Sequence, residues 1–270
     1  MPALTYSEHL PDADLASWVV CFWQIRGVVA EGIRIPHRVL PDGCADLILD
    51  LEEARRRGGE CENVVGTMSR AQLVGLGGAV DLTGVRLRPG AVAAFSGARA
   101  DELLDRVLSP GDLSLPLGFS VAELADVSSF ATRAQLLTAG CRKRVAARKQ
   151  PDASIRYALG RWSRPEKAFP SVSVLVRDIG LSERTFERRF VAEVGLTPAH
   201  YRRLARFRSV LRLHNSGHRN WADVAAMTGF SDQSHLVREF RQFTGLTPTA
   251  WAATQADAAG FLQDGEITAL

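Results

Sequence analysis

The chain has four cysteines, Cys21, Cys44, Cys61 and Cys141, and no two of them form a C-x-x-C pair. That scatter supplies neither a zinc ribbon nor a disulfide scaffold, and buried reduced thiols are the plain reading. No run of eighteen apolar residues occurs, so no segment reads as a membrane-spanning helix. The opening MPALTYSEHLPDADL has no basic stretch followed by an apolar one, which argues against a secretory signal and for a cytoplasmic protein. A nucleotide-binding glycine loop, a zinc-type cysteine cluster and a Ser/His/Asp motif are all lacking. The expectation is therefore a protein that is not an enzyme and uses no cofactor or metal. Charge of one sign is lacking too: 33 Lys and Arg stand against 30 Asp and Glu.

What is present is an ordinary globular composition, 46% hydrophobic and 23% charged over 270 residues. This excludes a disordered chain and suggests two domains. The small surplus of charge is unevenly placed, since residues 166–255 hold 13 Lys and Arg against 8 Asp and Glu. A basic surplus of five fits a DNA-facing domain and fits a solvated surface equally well.

The first 120 residues read as short strands broken by turns. WVVCFWQIRG, RIPHRVLPDGCADLILDLEE and NVVGTMSRAQLVGLGGAVDLTGVRLRPGAVAAF carry β-branched and aromatic runs punctuated by Pro-Asp-Gly, Gly-Gly and Pro-Gly, the pattern of an antiparallel β-rich unit. From Ser120 the period changes. VAELADVSSFATRAQLLTAGCRKRVAARK repeats its apolar residues every three or four positions without proline, which predicts helix, with a possible break at Gly140. DASIRYALGRWSR predicts another helix, leading to a connector around Pro165 and Pro170. The fold class is therefore α+β: a β-rich domain over 1–120, a helical linker over 121–165, an all-α domain over 166–255 and a tail over 256–270.

Two stretches of the C-terminal third resemble each other. DIGLSERTFERRFVAEVGLTPAHY at 178–201 and MTGFSDQSHLVREFRQFTGLTPTAW at 227–251 align Phe186 with Leu236, Phe190 with Phe240, Gly195 with Gly245, and Tyr201 with Trp251. Each pair is fifty residues apart, a duplicated module rather than a solenoid. Each copy opens with a short apolar helix (Val172, Leu175, Val176, Ile179; then Trp221, Val224, Ala225) that runs into Gly180 or Gly229. Glycine takes the left-handed conformation that ends a helix. Ser182, or Ser231 with Asp232, then caps a second helix. Within that helix Phe186 and Phe190, or Leu236 and Phe240, lie four apart and face a core. The outer face is left to Arg184, Glu187 and Arg188 in the first copy, and to Gln233, Ser234, Val237 and Arg238 in the second.

Both copies close with Gly-Leu-Thr-Pro, where threonine caps and proline sits at the first helical position. Between them AHYRRLARFRSVLRLHN predicts a connecting helix of roughly 24 Å, on the order of the one-turn separation, about 34 Å, of successive major-groove faces. Arginine and glutamine are the side chains that bind guanine and adenine edges bidentately. Duplicated caps with such side chains on both outer faces point to two helix-turn-helix readers of duplex DNA.

At these residues the region 170–253 resembles the C-terminal DNA-binding domain of the AraC/XylS family, with GFSDQSHLVREFRQFTGLTP closest to its signature. Leu236, where the family usually has an aromatic, and Trp251, where it often has Tyr or Phe, depart from the pattern but remain large and apolar. The resemblance implies two helix-turn-helix subdomains joined by a long helix. It also implies base-reading positions at Arg184, Glu187 and Arg188 and at Gln233, Ser234 and Arg238, with His235 a further candidate. Phosphate contacts are expected from helix N-termini and from Arg202, Arg203 or Arg206.

HRVLPDGCADLILDL and GVRLRPGAVAAFSGARADELLDRVLSP resemble the N-terminal segment of one branch of AraC-like regulators, which implies a β-rich sensor or dimerisation module. His37, Cys44, Trp23, Arg86 and Arg88 are the candidate ligand-binding residues. The expected partners are promoter DNA, a small-molecule effector, RNA polymerase for an activator, and a second copy of the chain; no membrane is expected. The competing function is a DNA-binding domain fused to a thiol-based alkyl-transfer module using Cys44, or to a metal or electrophile sensor using His37, Asp42, Cys44 and Asp46.

Overall fold

The computed structural model describes residues 4–58, 62–109, 118–148, 150–164 and 169–257. Cys61, the Pro165 end of the connector and the tail beyond 257 lie outside the described residues. The N-terminal unit is built on a six-stranded antiparallel sheet of order β1-β2-β7-β4-β5-β8. Its strands are β1 (Leu4–His9), β2 (Val19–Val28), β4 (Ala45–Asp50), β5 (Glu62–Val65), β7 (Ala79–Leu87) and β8 (Val107–Leu108). A separate two-stranded arm pairs β3 (Ile35–Val39) with β6 (Gln72–Leu76), setting His37 opposite Val74 and Arg38 opposite Leu73.

The two faces of the sheet follow from the period of two along each strand. Phe22, Leu47, Leu49, Val85 and Leu87 face one way, into a core closed by α1 (Leu51–Arg57), α2 (Val92–Ser96), α3 (Val121–Asp126) and α4 (Phe130–Val145). Cys21, Trp23 and Ile25 face the other way, against Leu76 of the arm and Val80. Two short helices, α1 and α2, therefore stand inside the stretch read from sequence as strands and turns. Asp50 caps α1 by accepting from the Glu53 N–H, and Arg55, Arg56 and Arg57 lie in its last turn. The helix break expected at Gly140 falls instead at 127–129, where Ser129 caps α4. Gly140 stays inside α4 because it packs on the preceding loop: a Cβ there would come within 2.6 Å of Phe119 and 3.0 Å of the Gly118 carbonyl.

One charged side chain of α4 is fully buried. Arg133 donates to both oxygens of Asp81 at 2.6 and 2.9 Å, to Gln24 at 2.8 Å and to the Val127 carbonyl at 2.8 Å. Arg55 of α1 closes on the same carboxylate. Burial opposes ionisation of Asp81, but the two guanidinium groups overcome it and hold its carboxyl below the usual range. The network fastens two helices to strands β2 and β7 through a shared anion, the arrangement that satisfies buried charge.

After α5 (Ala153–Ser163), the C-terminal unit is all-helical: α6 (Val172–Ile179), α7 (Glu183–Val194), α8 (Pro198–Asn215), α9 (Trp221–Met227), α10 (Gln233–Thr244) and α11 (Pro248–Asp257). Tyr201, Leu204, Phe207 and Val210 of α8 stand at the centre of its core, with Trp162 of α5 behind them. The chain is thus α+β, a β-rich unit followed by helices and a helical C-terminal unit. No helix among the described residues is long and apolar enough to cross a membrane.

The two units are packed together. The ring of Tyr201 lies over Gly43, whose φ of 87° and lack of a side chain permit the approach; a Cβ there would sit 2.6 Å from the ring. Beside it Arg208 donates to the Asp42 carbonyl at 3.0 Å. Gly43→Ala is expected to lower the melting temperature through both the positive φ and this contact, whereas the same change at exposed Gly32, φ 76° with open space around it, adds only the conformational cost. Equal shifts for the two variants would remove the Tyr201 contact from the explanation.

Candidate nucleic-acid interface

The site is assembled from two repeats of one local design. In the first, Ser171 caps α6 and Gly180, at φ 75°, ends it; the Leu181 N–H then returns to the Val176 carbonyl at 3.0 Å. The hydroxyl of Ser182 starts α7 by accepting from the Thr185 N–H at 3.3 Å. In the second, Asn220 caps α9, Gly229 takes φ 75°, and the Phe230 N–H returns to Ala225 at 2.9 Å. Asp232 then starts α10 by accepting from the His235 N–H at 2.7 Å, a bond that holds its carboxyl below the usual range. Of the two candidate caps at this turn, Asp232 makes the backbone bond, while the Ser231 hydroxyl bonds Asp232 and His235 Nδ1.

The apolar halves of α7 and α10 are buried as their spacing predicts. Phe190 meets Trp162 and Tyr201 edge-on, with centroids at 5.8 and 5.6 Å. Phe240 meets Phe207 at 5.2 Å and Trp251 at 5.7 Å, and Phe243 stacks on Phe207 at 4.9 Å. Leu236 is fully buried in the position of Phe186. Both helices thus rest on α8, whose 18 residues span about 27 Å.

The opposite faces are open. Arg184, Glu187 and Arg188 on α7, and Gln233, Ser234 and Arg238 on α10, are all exposed. Val237 and His235 are half-buried at the margin of the second face. Each trio lies within the first turns of its helix, where the backbone N–H groups and the positive end of the helix dipole also point outward. Chemically, each face offers bidentate or amide donors on a rigid rod.

Arg202, Arg203 and Arg206 are placed differently. Arg202 donates to the Phe169 carbonyl at 2.9 and 3.2 Å. Arg203 grips the buried Glu239 of α10 through Nε at 2.9 Å to both carboxylate oxygens, and also bonds Gln242. Arg206 donates to the Gly229 carbonyl at 3.2 Å and stacks over Phe230 at 4.7 Å, with burial and then Arg202 drawing its pKa down. These three guanidinium groups hold the connecting helix to its neighbours. The sequence offers them as candidate phosphate contacts and does not show that Glu239 and two carbonyls lie within reach.

The candidate ligand residues of the N-terminal unit partly converge. Trp23 donates its indole N–H to Asp46 at 2.8 Å, and Arg86 Nε lies 3.4 Å from Asp46 and 3.7 Å from Asp42. His37 of the arm belongs to the same neighbourhood: burial first, and then the Arg86 charge, lower its pKa. Burial raises Asp46, with Arg86 opposing. Arg88 is turned aside to the Ala16 carbonyl. Cys44 is buried, and burial pushes its thiol well above the ordinary range; an un-ionised buried thiol is a poor nucleophile. A surface cleft of about 330 Å³ lined by His9, Asp12, Gln135, Thr138 and Arg142 lies apart from all of these residues.

In the second repeat His214 is buried, stacked on Trp221 at 4.8 Å and edge-on to Trp251 at 5.3 Å. Arg219 approaches its Nε2 at 2.8 Å, so that nitrogen accepts and the ring is neutral. Burial and the Arg219 charge both lower its pKa, and burial lowers His200 as well. A histidine depressed in the fold is protonated first in the unfolded chain, so its contribution to stability is lost as pH falls below the unfolded value of about 6.5. Between pH 7.5 and 5.5 the melting temperature is expected to fall, and His214→Phe should flatten that slope. A slope identical in the variant would exclude His214 as a source.

Comparison with known proteins places family matches on both units. The profile described as a helix-turn-helix domain matches residues 175–254, and one described as "Domain of unknown function (DUF6597)" matches residues 7–109. No curated protein matches the chain. Among solved structures, the DNA-binding domain of AdpA, determined in complex with a target DNA, is 23% identical with a TM-score of 0.37, covering 40% of this chain and 97% of that one. ToxT from Vibrio cholerae is 10% identical with a TM-score of 0.42, covering 93% of this chain and 97% of that one. The C-terminal domain of AraT from Geobacillus stearothermophilus is 14% identical with a TM-score of 0.36, covering 44% of this chain and 94% of that one.

Proposed function

Since residues 175–254 form a helix-turn-helix domain of the AraC type, we propose that the chain is a sequence-specific transcriptional regulator that reads two successive major-groove segments of one duplex. The observation that carries this reading is the pair of solvent-facing trios, Arg184/Glu187/Arg188 and Gln233/Ser234/Arg238, at the starts of two helices seated on one connecting helix. The first reader is the more charged. Its arginines suit guanine, and Glu187 accepts from cytosine N4 or orients its arginine neighbours. The second, through Gln233, suits adenine.

The β-rich unit is the effector-responsive part in this reading. Trp23 and Arg86 lie on the sheet face that also carries the arm, His37 lies in the arm itself, and the arm touches α10. A change at the Arg86 cluster therefore has a short packed route to the second reader. Burial of Cys44 favours this over thiol-based alkyl transfer.

The test is fluorescence anisotropy with duplexes selected from a random-sequence pool by the full chain. Arg184→Ala and Arg238→Ala should each cost about 1–3 kcal/mol of discrimination at one base position, and affinity should fall steeply with salt. If both variants keep the parent's base preferences, the assignment of readers is wrong.

A further inference from the structure

The fifty-residue repeat carries beyond the readers to the surfaces that grip them. Gly195, which ends α7, and Gly245, which ends α10, are equivalent positions, both in the left-handed conformation. Both abut the N-terminal unit. A Cβ at Gly195 would lie 2.8 Å from the carbonyl of Ala100, in the short 3-10 turn Ala100–Glu102, and 3.6 Å from Thr67. One at Gly245 would lie 3.5 Å from Arg38 Nη1. At the second position two hydrogen bonds cross between the units: Arg38 Nη1 donates to the Thr244 carbonyl at 2.8 Å, and the Ala71 N–H, just before β6, donates to the Phe243 carbonyl at 2.7 Å.

We propose that the β-rich unit is a bracket across the C-terminal ends of both reader helices, and that Arg38 is a positioning residue fixing the spacing of half-sites the chain accepts. The inference rests on the two-reader function proposed above. Three physical points support it. The carbonyls at a helix C-terminus lack intrahelical partners, and a cation there is favoured by the dipole. Arg38 and Ala71 supply partners to the last turn of α10 from outside its own unit. The bracket leaves the reading faces clear: α7 and α10 have 12 residues each, about 18 Å, and the exposed trios occupy their opposite ends. It is therefore built to hold the readers, and it does not cover them.

The third point is mechanical. Joined by α8 alone, two readers have a set separation, but bending and twisting along one helix leave their relative rotation soft. A second connection, from the Ala100 turn through the sheet to the arm, closes a ring and removes that freedom. One base pair added between half-sites moves the second by roughly 3.4 Å and rotates it by about 35°, a change that a closed ring resists and an open one absorbs.

The experiment uses the full chain and duplexes selected from a random-sequence pool, remade with the spacer lengthened or shortened by one base pair. The parent should discriminate sharply against both altered spacers. Arg38→Met, which keeps the stem and removes the guanidinium, should reduce that discrimination by about threefold to tenfold, the range of one hydrogen bond to a buried carbonyl. It should leave binding to a duplex bearing only the first half-site unchanged, and Arg38→Lys should restore part of the effect. If Arg38→Met fails to fold, Ala71→Pro, which deletes the single N–H to Phe243, is measured in its place. Unaltered spacer discrimination in a folded variant overturns the bracket, as does a uniform gain of affinity at every spacer, which would make the contact inhibitory. A parent chain that selects no sequence at all would refute the two-reader function itself.

Discussion

Asp81→Ala is expected to destabilise the β-rich unit by about 3–5 kcal/mol, the usual cost of removing one partner from a buried ion pair. Arg133 is fully buried and Asp81 only 3% exposed, so loss of the carboxylate leaves the guanidinium buried without its counter-charge. The bonds that remain, to Gln24, the Thr83 hydroxyl and the Val127 carbonyl, are all to neutral acceptors. The effect is not that of a missing attraction alone, because an uncompensated cation stays beneath the sheet. The double variant Asp81→Leu/Arg133→Met, which removes both charges and keeps the volume, should recover much of the loss. Urea unfolding followed by tryptophan fluorescence reads both. A single variant within about 1 kcal/mol of the parent would mean that Gln24 and the Val127 carbonyl suffice to hold Arg133.

Phe190→Ala should cost a comparable amount, about 3–5 kcal/mol, by emptying a ring-sized space in the other core. Phe190 is fully buried and is met by the rings of Trp162, Phe186 and Tyr201, at 5.8, 5.6 and 5.6 Å. Its loss should be felt beyond α7, since Tyr201 is also the residue that presses on Gly43 of the other unit. Hydrogen exchange should therefore quicken both in α7 and around residues 42–44. Faster exchange confined to α7 would show that the interface is held independently of the first repeat's core.

The helix-turn-helix repeats were legible in the sequence because every device in them is local. Caps at Ser182 and Asp232, the left-handed Gly180 and Gly229, and large apolar residues four apart all fall within one repeat or the other. The main strands were legible for the same reason. Helices α1 and α2 were not, since five to seven residues hold too few turns to impose a period of 3.6 on a stretch rich in valine and leucine. Least legible was the meeting of the two units. Arg38 and Thr244 are 206 residues apart, and Arg208 and Asp42 are 166 apart; neither strand pattern nor helical period carries information at that range. The same limit explains Arg202, Arg203 and Arg206, since nothing local to them in the sequence signals Glu239 or the Phe169 and Gly229 carbonyls.

The approach of Tyr201 to Gly43 has a practical consequence for anyone dividing the molecule. Cutting at the connector to obtain a minimal DNA-binding fragment would leave a wound: one face of Tyr201 uncovered, Arg208 without the Asp42 carbonyl, and the last turn of α10 without Arg38 and Ala71. Such a fragment inherits an apolar, hydrogen-bond-hungry scar away from the exposed trios of α7 and α10, and two scars can heal against each other. Self-association of an isolated C-terminal piece would thus report where the missing half belongs, and dimers seen with it should be checked against the full-length chain before being credited to the regulator.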